Sequence, residues 1–441
     1  MEYVVRLAQV HESFRIPELK ALASLANIDL EILTYSPDSP FCVIRLSSDE
    51  AARKLVSRSI LTDSIYELWG SGTDYEALHA DIHHRTQHRW PEYKTCSFKF
   101  KVLGYQHTLS QRAQVKVIES FDYLPFEGPI KMKNPEYDFG VLEHYVIRTK
   151  IPTIIYFGRF IADGGRNIYL PYDLKKRQYI STTSMDSELT FITANIAMAA
   201  PGKLLYDPFV GTGSLPIACS HFGAMTMGSD IDGRTVRGTK EKNITTNFDQ
   251  YGLRPCLLDN FTSDLTNTPL RLTRFLDGIV CDPPYGVREG LRTLGKKDGT
   301  GLEVVYIDGV AAHLRPNYIH PKKSYSFDAM LEDVLDFAVL TLVDGGRLCM
   351  WMPTANEQGN EVDIPKHPSL QLEDVSTQAF NKWSRCLLTY SRLPDSEVVE
   401  VKTRTRPEIL PGANADTLNS FRKRYFQGFR TPESTNGTRT P

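Results

Sequence analysis

The sequence predicts an α/β fold in which a doubly wound, mostly parallel sheet is preceded by an α+β region. From residue 179 onward, short apolar strands alternate with helical segments, which is typical of a parallel sheet covered by helices. Earlier strands and helices do not follow a βαβ repeat, and 441 residues suffice for more than one core. We therefore predict an N-terminal α+β region over 1–178, an α/β domain over 179–400, and a basic, partly disordered tail over 401–441.

The composition indicates the cellular compartment more clearly than the activity. Lys and Arg (51) nearly balance Asp and Glu (53), so contacts to phosphate would need a local concentration of positive charge. The seven cysteines are scattered without a Cys-x-x-Cys pair, which indicates neither a zinc knuckle nor a disulfide framework. No signal peptide or apolar run of bilayer length is present. We expect a soluble cytosolic or nuclear protein, most simply cytoplasmic.

The N-terminal region is predicted from strand and helix patterns in turn. Strands are expected at 3–8, 41–46, 64–68, 97–103 and 114–118, with a β-rich run at 146–157. Helices are expected at 14–26, 49–57 and 73–89. The last of these carries four histidines, with two pairs at i,i+4 spacing: His79, His83, His84 and His88. A solvated helix face is expected there instead of a metal site, because no cysteine or carboxylate completes a ligand set.

The α/β domain is predicted in the same way. Strands are expected at 204–206, 224–228, 256–261, 277–281 and 347–352, followed by a closing antiparallel pair at 370–380 and 386–393. Helices are expected within 181–198 and at 214–222, 234–247 and 327–342, the last ended by Gly345-Gly346. Residues 286–324 show no clear periodicity, and so long a loop after a buried strand is usually functional or mobile.

The first chemical motif is Asp207-Pro208-Phe209-Val210-Gly211-Thr212-Gly213-Ser214. A strand enters a glycine-rich turn and a helix follows, with Ser214 expected as its N-cap. The helix N-terminus offers N–H groups to a carboxylate, and Asp207 at the strand's carboxyl end offers an acceptor to an ammonium group. A ligand with an amino-acid head and an adenosine fits this edge. A plain strand-to-helix turn or a nucleotide-binding loop remains the alternative.

The second motif, Gly228-Ser229-Asp230-Ile231-Asp232, supplies acidic side chains after the next strand. Asp230 is the first choice to bind both ribose hydroxyls and Asp232 the second, although either could instead cap the following helix. A third acidic position, Asp259 or Asp264, could meet an adenine amino group, and spacing does not separate the two.

The third motif is Asp282-Pro283-Pro284-Tyr285-Gly286, after the buried strand at 277–281. The prolines fix φ and remove two N–H groups, so their carbonyls point in a set geometry. A planar base can stack on Tyr285 while its amino group donates to Asp282 and to the Pro283 carbonyl. Two acceptors favour a more nucleophilic nitrogen and stabilise positive charge that develops on it. The run therefore predicts chemistry on the exocyclic amine of a base.

In this order the three motifs resemble the class I amino-methyltransferases, and more narrowly the catalytic subunits of the eukaryotic tRNA guanosine-10 N2-methyltransferases. Supporting runs are Tyr179-Ile180-Ser181-Thr182-Thr183-Ser184-Met185-Asp186 and Phe14-Arg15-Ile16-Pro17-Glu18-Leu19, and the resemblance covers nearly the whole chain. It implies a Rossmann-like domain, a THUMP RNA-binding domain before it, tRNA as substrate, and a heterodimer with a small zinc-binding activator subunit. No membrane or DNA partner is implied.

The resemblance also implies roles for individual residues. S-adenosylmethionine would be bound by Asp207, Phe209, Gly211, Gly213, Asp230, Asp232 and Asp264. The catalytic residues would be Asp282, Pro283, Pro284 and Tyr285. An adenine N6-methyltransferase acting on DNA or RNA would use the same chemistry, and a non-catalytic RNA-binding protein is a second alternative. The α+β N-terminal region favours RNA over DNA, whereas guanine over adenine depends on the resemblance.

Overall fold

The computed structural model describes residues 1–287, 290–295, 303–315, 318, 321–355, 363–398 and 417–426. The chain separates into two compact units, Met1–Tyr169 and Leu170–Pro441. Residues 401–416 and 427–441, most of the predicted disordered tail, lie outside the described residues. Within the described ranges, no helix has both the length and the apolar character needed to cross a membrane.

The first unit is an α+β layer built on one seven-stranded sheet. Its strands are β1 (Glu2–Leu7), β2 (Glu31–Thr34), β3 (Phe41–Arg45), β4 (Thr62–Gly72), β5 (Phe98–Tyr105), β6 (Tyr137–Tyr145) and β7 (Pro152–Asp163). Its helices are α1 (Arg15–Ala26), α2 (Asp49–Val56), α3 (Tyr75–Thr86) and α4 (Gln111–Glu119). The strand order is β2-β3-β1-β4-β7-β6-β5, and β5 pairs parallel with β6 while the other pairs are antiparallel. The predicted α+β layout is confirmed.

Two predictions in this unit are wrong in detail. Residues 114–118, predicted as a strand, lie in α4, whose start is capped by the Ser110 hydroxyl accepting from the Ala113 N–H at 3.3 Å. A five-residue apolar alternation fits a short helix as well as a strand, and here Val117 packs on the core while Val115 is 46% exposed. Of the β-rich run at 146–157, only residues 152–157 are strand, because β6 ends at Tyr145 and β7 begins at Pro152.

The histidine-bearing helix α3 is only partly solvated. His79 Nδ1 lies 2.9 Å from the Tyr123 hydroxyl, and the His83 ring stacks on the same tyrosine at 4.5 Å. His84 and His88 are exposed, as expected for a solvated face. In the part of the chain that is described, no group of three or more His, Cys, Asp or Glu side chains could hold a metal ion.

The second unit is a doubly wound sheet. Its strands are β8 (Leu204–Asp207), β9 (Met225–Asp230), β10 (Leu257–Thr262), β11 (Leu276–Cys281), β12 (Arg292–Leu294), β13 (Tyr306–Ile307), β14 (Val310–Ala311), β15 (Lys322–Ser324), β16 (Leu342–Ala355), β17 (Leu370–Ala379) and β18 (Trp383–Arg392). Its helices are α5 (Ser187–Ile196), α6 (Ser214–His221), α7 (Gly233–Arg237), α8 (Ile244–Gln250), α9 (Phe327–Thr341) and α10 (Ser420–Phe426). The main sheet has the order β10-β9-β8-β11-β16-β18-β17, and its first five strands are parallel.

The predicted fold class and the closing antiparallel pair are confirmed, since β18 pairs antiparallel with β16 and β17. The single helix predicted at 234–247 is wrong. Gly238 ends α7 with φ +52°, and Asn243 starts α8 with a capping box to Thr246. Helix α9 ends one residue earlier than predicted, and Gly345-Gly346 lies inside β16 instead of ending the helix. The loop at 286–324 contains two small antiparallel pairs, β12 with β15 and β13 with β14.

Candidate active site

Three acidic side chains lie at the carboxyl ends of neighbouring parallel strands. Asp207 is the last residue of β8, Asp230 is the last residue of β9, and Asp282 follows Cys281 at the end of β11. Because β9, β8 and β11 are adjacent and parallel, these ends meet at one edge of the sheet. Ligands of open α/β sheets bind at such an edge. The three motifs found in the sequence are therefore brought together.

Asp207 is a buried carboxylate, with 2% of its surface exposed. Its Oδ1 accepts a hydrogen bond from the Phe209 N–H at 2.9 Å, which shapes the turn. Burial raises the pKa of Asp207 well above its usual range, and the negative charges of Asp230 and Asp282 add to that effect. No basic side chain of the described ranges forms an ion pair with Asp207. The position therefore suits a cationic group on a ligand.

The glycine turn after β8 differs from the prediction at one residue. Gly213, in the left-handed conformation with φ +85°, is the N-cap of α6, so Ser214 is the first helical residue and the Ser214 N-cap prediction is wrong. The Ser214 hydroxyl instead accepts a hydrogen bond from Arg177 Nη1 at 2.7 Å. Gly211 also has a positive φ, +50°, and its N–H donates to Asp230 Oδ2 at 3.1 Å. Glycine supplies both left-handed positions at no steric cost.

Asp230 and Asp232 have different environments. Asp230 Oδ1 accepts from the Asp232 N–H at 2.9 Å, and burial raises the pKa of Asp230. Asp232 caps α7 by accepting from the Arg234 N–H at 3.1 Å. Partial burial raises the pKa of Asp232, but hydrogen bonds from Arg234 outweigh it and the net pKa is lowered. Asp232 thus has the capping role that the sequence left open for either residue.

The two candidates for the third acidic position also differ. Asp264 follows the carboxyl end of β10 and is 5% exposed. Its Oδ2 accepts from the Thr293 hydroxyl at 2.7 Å and the Leu294 N–H at 2.8 Å, which ties it to β12. Asp259 lies inside β10 and is exposed. Of the two, Asp264 lies beyond the carboxyl end of its strand.

The two oxygens of the Asp282 carboxylate have different neighbours. Oδ1 accepts from the Tyr285 hydroxyl at 2.6 Å, and Oδ2 lies 3.9 Å from Arg385 Nη1. Burial raises the pKa of Asp282, while the Tyr285 hydrogen bond and the Arg385 charge oppose that shift. Pro283 is buried and Pro284 is exposed. Because Arg385 lies beyond hydrogen-bonding distance, Oδ2 remains an acceptor for another donor.

Several residues at this site were missed by sequence analysis. On β18, the Trp383 ring meets Tyr285 edge-on at 6.3 Å, and the Arg385 guanidinium lies 4.8 Å from the centre of the Trp351 ring. From the C-terminal end, Asn419 donates to the Tyr285 carbonyl at 2.9 Å across 134 residues. No local pattern marks these residues, since their neighbourhood arises from strand order and long-range packing.

Comparisons with known proteins cover nearly the whole chain. The family model for the Tmrp11 THUMP N-terminal domain matches residues 1–166, and that for the RMKL-like methyltransferase domain matches residues 175–296. A tRNA (guanine(10)-N(2))-methyltransferase of Saccharomyces cerevisiae is 42% identical, covering 97% of this chain and 99% of that protein. Proteins of the same name are 38% identical in Schizosaccharomyces pombe, over 96% of both chains, and 35% identical in Homo sapiens, over 97% of this chain and 95% of that one.

Among solved structures, TrmN from Thermus thermophilus is similar with a TM-score of 0.42 and 16% identity. The alignment covers 89% of this chain and 100% of that one.

Proposed function

The chain belongs to the tRNA (guanine(10)-N(2))-methyltransferase family, and from this membership we propose that it methylates the exocyclic N2 of guanosine 10 in tRNA. S-adenosylmethionine is the proposed methyl donor. The observation that carries the proposal is the meeting of three acidic strand ends, one of them in an Asp-Pro-Pro-Tyr run, at one edge of a parallel sheet.

The cofactor-binding residues are proposed to be Asp207, Phe209, Gly211, Gly213, Asp230, Asp232 and Asp264. The buried Asp207, which has no ion-pair partner in the described part of the chain, fits the cofactor's ammonium group. Asp230 would accept from the ribose hydroxyls. Asp264, already tied to β12, would also shape the adenine end of the site. When bound, S-adenosylmethionine supplies an electrophilic methyl group on a sulfonium.

The base would be held by Asp282, Pro283, Pro284 and Tyr285 after it leaves the stack. The exocyclic amine is a poor nucleophile because its lone pair is delocalised into the ring. It would donate to Asp282 Oδ2 and to the Pro283 carbonyl, since Oδ1 already accepts from Tyr285. These acceptors orient the nitrogen and stabilise the positive charge that develops on it.

Other parts of the proposal concern partners. Residues 1–178, which include the part matching the THUMP model, would bind tRNA, residues 179–400 would carry catalysis, and 401–441 would form the tail. A small zinc-binding activator chain would complete a heterodimer. Strand β10 supports a contact with a second chain, because it lies at the edge of the sheet, where its backbone can pair with another strand, and Leu258 on it is 52% exposed. None of the seven cysteines forms a disulfide, and six of them are buried, as expected for a cytoplasmic protein.

Nucleoside analysis tests the proposed reaction. The purified chain, with and without the activator, is incubated with S-adenosylmethionine and an unmodified tRNA transcript, and the digested product is analysed by mass spectrometry. We expect N2-methylguanosine from the tRNA and no product from duplex DNA. A matched transcript with inosine at position 10 lacks the exocyclic N2 and should not react. Formation of N6-methyladenosine, or equal reaction of the inosine transcript, would contradict the assignment.

A further inference from the structure

Residues 417–426, here called the C-terminal clamp, contact the backbone of the Asp-Pro-Pro-Tyr motif. Asn419 Nδ2 donates to the Tyr285 carbonyl at 2.9 Å. Arg422 Nη1 donates to the Gly286 carbonyl at 2.5 Å and to the Val287 carbonyl at 2.7 Å. Three consecutive carbonyls after Pro284 are therefore fixed by two side chains from a distant part of the sequence.

The clamp is itself well anchored. Asn419 is 4% exposed, and its Oδ1 accepts from the Arg422 N–H at 2.9 Å, which caps α10. The same amide thus orders α10 through its oxygen and binds the motif through its nitrogen. The Leu418 carbonyl accepts from the Phe327 N–H at 3.0 Å, which joins the clamp to the start of α9.

An aromatic contact and a glycine complete the arrangement. Phe421 is 5% exposed and meets Trp383 edge-on at 5.9 Å, and Trp383 in turn meets Tyr285 at 6.3 Å. Gly286 has φ +71°, and a Cβ there would lie 2.7 Å from Asn419 Nδ2. Glycine is therefore required both by the backbone conformation and by the close approach of the amide.

We propose that Asn419 and Arg422 are positioning residues for methyl transfer, which hold the Pro283 carbonyl and the Tyr285 ring in register with the substrate amine. This inference rests on the proposed function. Bonds to the carbonyls of residues 285–287 fix the chain immediately after the base-binding run, so their loss frees that run to move. Misplacement of a reacting group by about 1 Å costs on the order of 100-fold in rate.

The test compares substitutions that separate the clamp from the fold. Asn419→Asp keeps an oxygen to cap α10 but removes the donor to Tyr285, because Asp caps as well as Asn. Arg422→Gln removes the donor to Gly286 and Val287, and Lys423→Gln removes one exposed charge from the same helix as a control. At saturating tRNA and cofactor, we expect roughly 10- to 100-fold lower kcat for the first two variants, and no change for the control. Arg422→Lys should restore part of the rate.

Two further measurements distinguish positioning from a structural role. The Kd for S-adenosylmethionine should stay at the wild-type value and the variants should remain folded at the assay temperature, while amide hydrogen exchange at Tyr285, Gly286 and Val287 becomes faster in Asn419→Asp and Arg422→Gln. Unchanged kcat with unchanged exchange would overturn the inference, as would a parallel loss of cofactor affinity and folding. If the wild-type chain makes no N2-methylguanosine, the proposed function fails, and the exchange data still decide whether the clamp orders the motif.

Discussion

Two buried carboxylates, Glu67 in the first unit and Asp207 in the second, have different partners. In the first unit, Glu67 is 3% exposed and its oxygens accept from Arg89 at 2.5 Å and Arg159 at 2.8 Å. Burial raises the pKa of Glu67, but these two arginines outweigh it and the pKa is lowered. Among the described residues of the second unit, Asp207 has no such partner and Asp282 has only a distant one at 3.9 Å, and burial raises the pKa of both.

The contrast teaches how to distinguish structural from functional charge. A buried ion is costly unless it is paired and hydrogen-bonded, so a fold that needs only stability supplies the partner from its own chain. The arginines of the first unit do this for Glu67. The carboxylates at the sheet edge are incompletely paired, as expected where substrate or cofactor completes the set. Four predictions test this contrast.

The largest expected effect is on the transfer rate. Asp282→Ala should lower the single-turnover rate by on the order of 1,000-fold or more, because it removes an acceptor for the amine at which charge develops. The Kd for S-adenosylmethionine, measured by calorimetry, should survive. Asp249→Ala, at an exposed position on α8, is the matched control and should leave both unchanged. Loss of cofactor affinity with a normal transfer rate at saturation would contradict the assignment of Asp282.

The next effect is on stability and should have opposite signs in the two units. Glu67→Gln should destabilise the first unit by about 2 kcal/mol, because partly buried Arg89 loses its carboxylate and buried Arg159 keeps only Asp49. Asp282→Asn should be neutral or stabilising, because it removes a partly buried charge whose ion-pair partner among the described residues, Arg385, lies 3.9 Å away. Urea unfolding at neutral pH, followed by a signal from each unit, measures both changes.

The stability differences of these two variants should also depend on pH in opposite directions. The pKa of Glu67 is lowered on folding. Its ionisation therefore stabilises the fold above the unfolded pKa of about 4.3, and this stabilisation is lost as pH falls through the lower folded pKa. The pKa of Asp282 is raised, so its ionisation disfavours folding at neutral pH and not below about 3.9. The advantage of Asp282→Asn should therefore disappear in acid. Equal destabilisation by both variants at neutral pH would remove the contrast between the units.

The sequence predicted the parallel sheet and the acidic strand ends because each depends on patterns within a single element. Apolar strands ending in Asp207, Asp230 or Asp282 can be recognised without knowing their neighbours. The errors arose where local patterns fit two structures. A five-residue alternation at 114–118 fits a capped helix, and the apolar residues of 234–247 continue past the break at Gly238.

The support around the motif was not predictable in this way. Arg385 on β18 lies close to Asp282 at the end of β11 because β16 is the one strand between them in the sheet. No short stretch of sequence specifies this strand order. Asn419 and Arg422 lie in a basic stretch that composition alone assigns to a disordered tail. Their role depends on carbonyl groups of residues 285–287, and backbone acceptors leave no mark on side-chain patterns.

The smallest expected effect is a shift in the acid limb of the transfer rate. Protonation of Asp282 removes its acceptor charge, so the rate should fall as pH decreases through a pKa that burial has raised. Arg385 opposes that rise, so Arg385→Gln should move the limb to higher pH. Arg385→Lys keeps the charge and Lys382→Gln removes an exposed one nearby, and both should leave the limb close to wild type.

Single-turnover rates across the acid range, at saturating cofactor, measure the position of this limb. Cofactor binding must be followed at each pH, because the raised pKa of Asp207 would otherwise add a second acid limb through loss of affinity. If the transfer rate of Arg385→Gln falls at the same pH as that of Lys382→Gln, or at a lower pH, Arg385 does not act on Asp282. Asp282 would then be as unpaired in function as Asp207, and the difference between the two units would be larger than the 3.9 Å contact suggests.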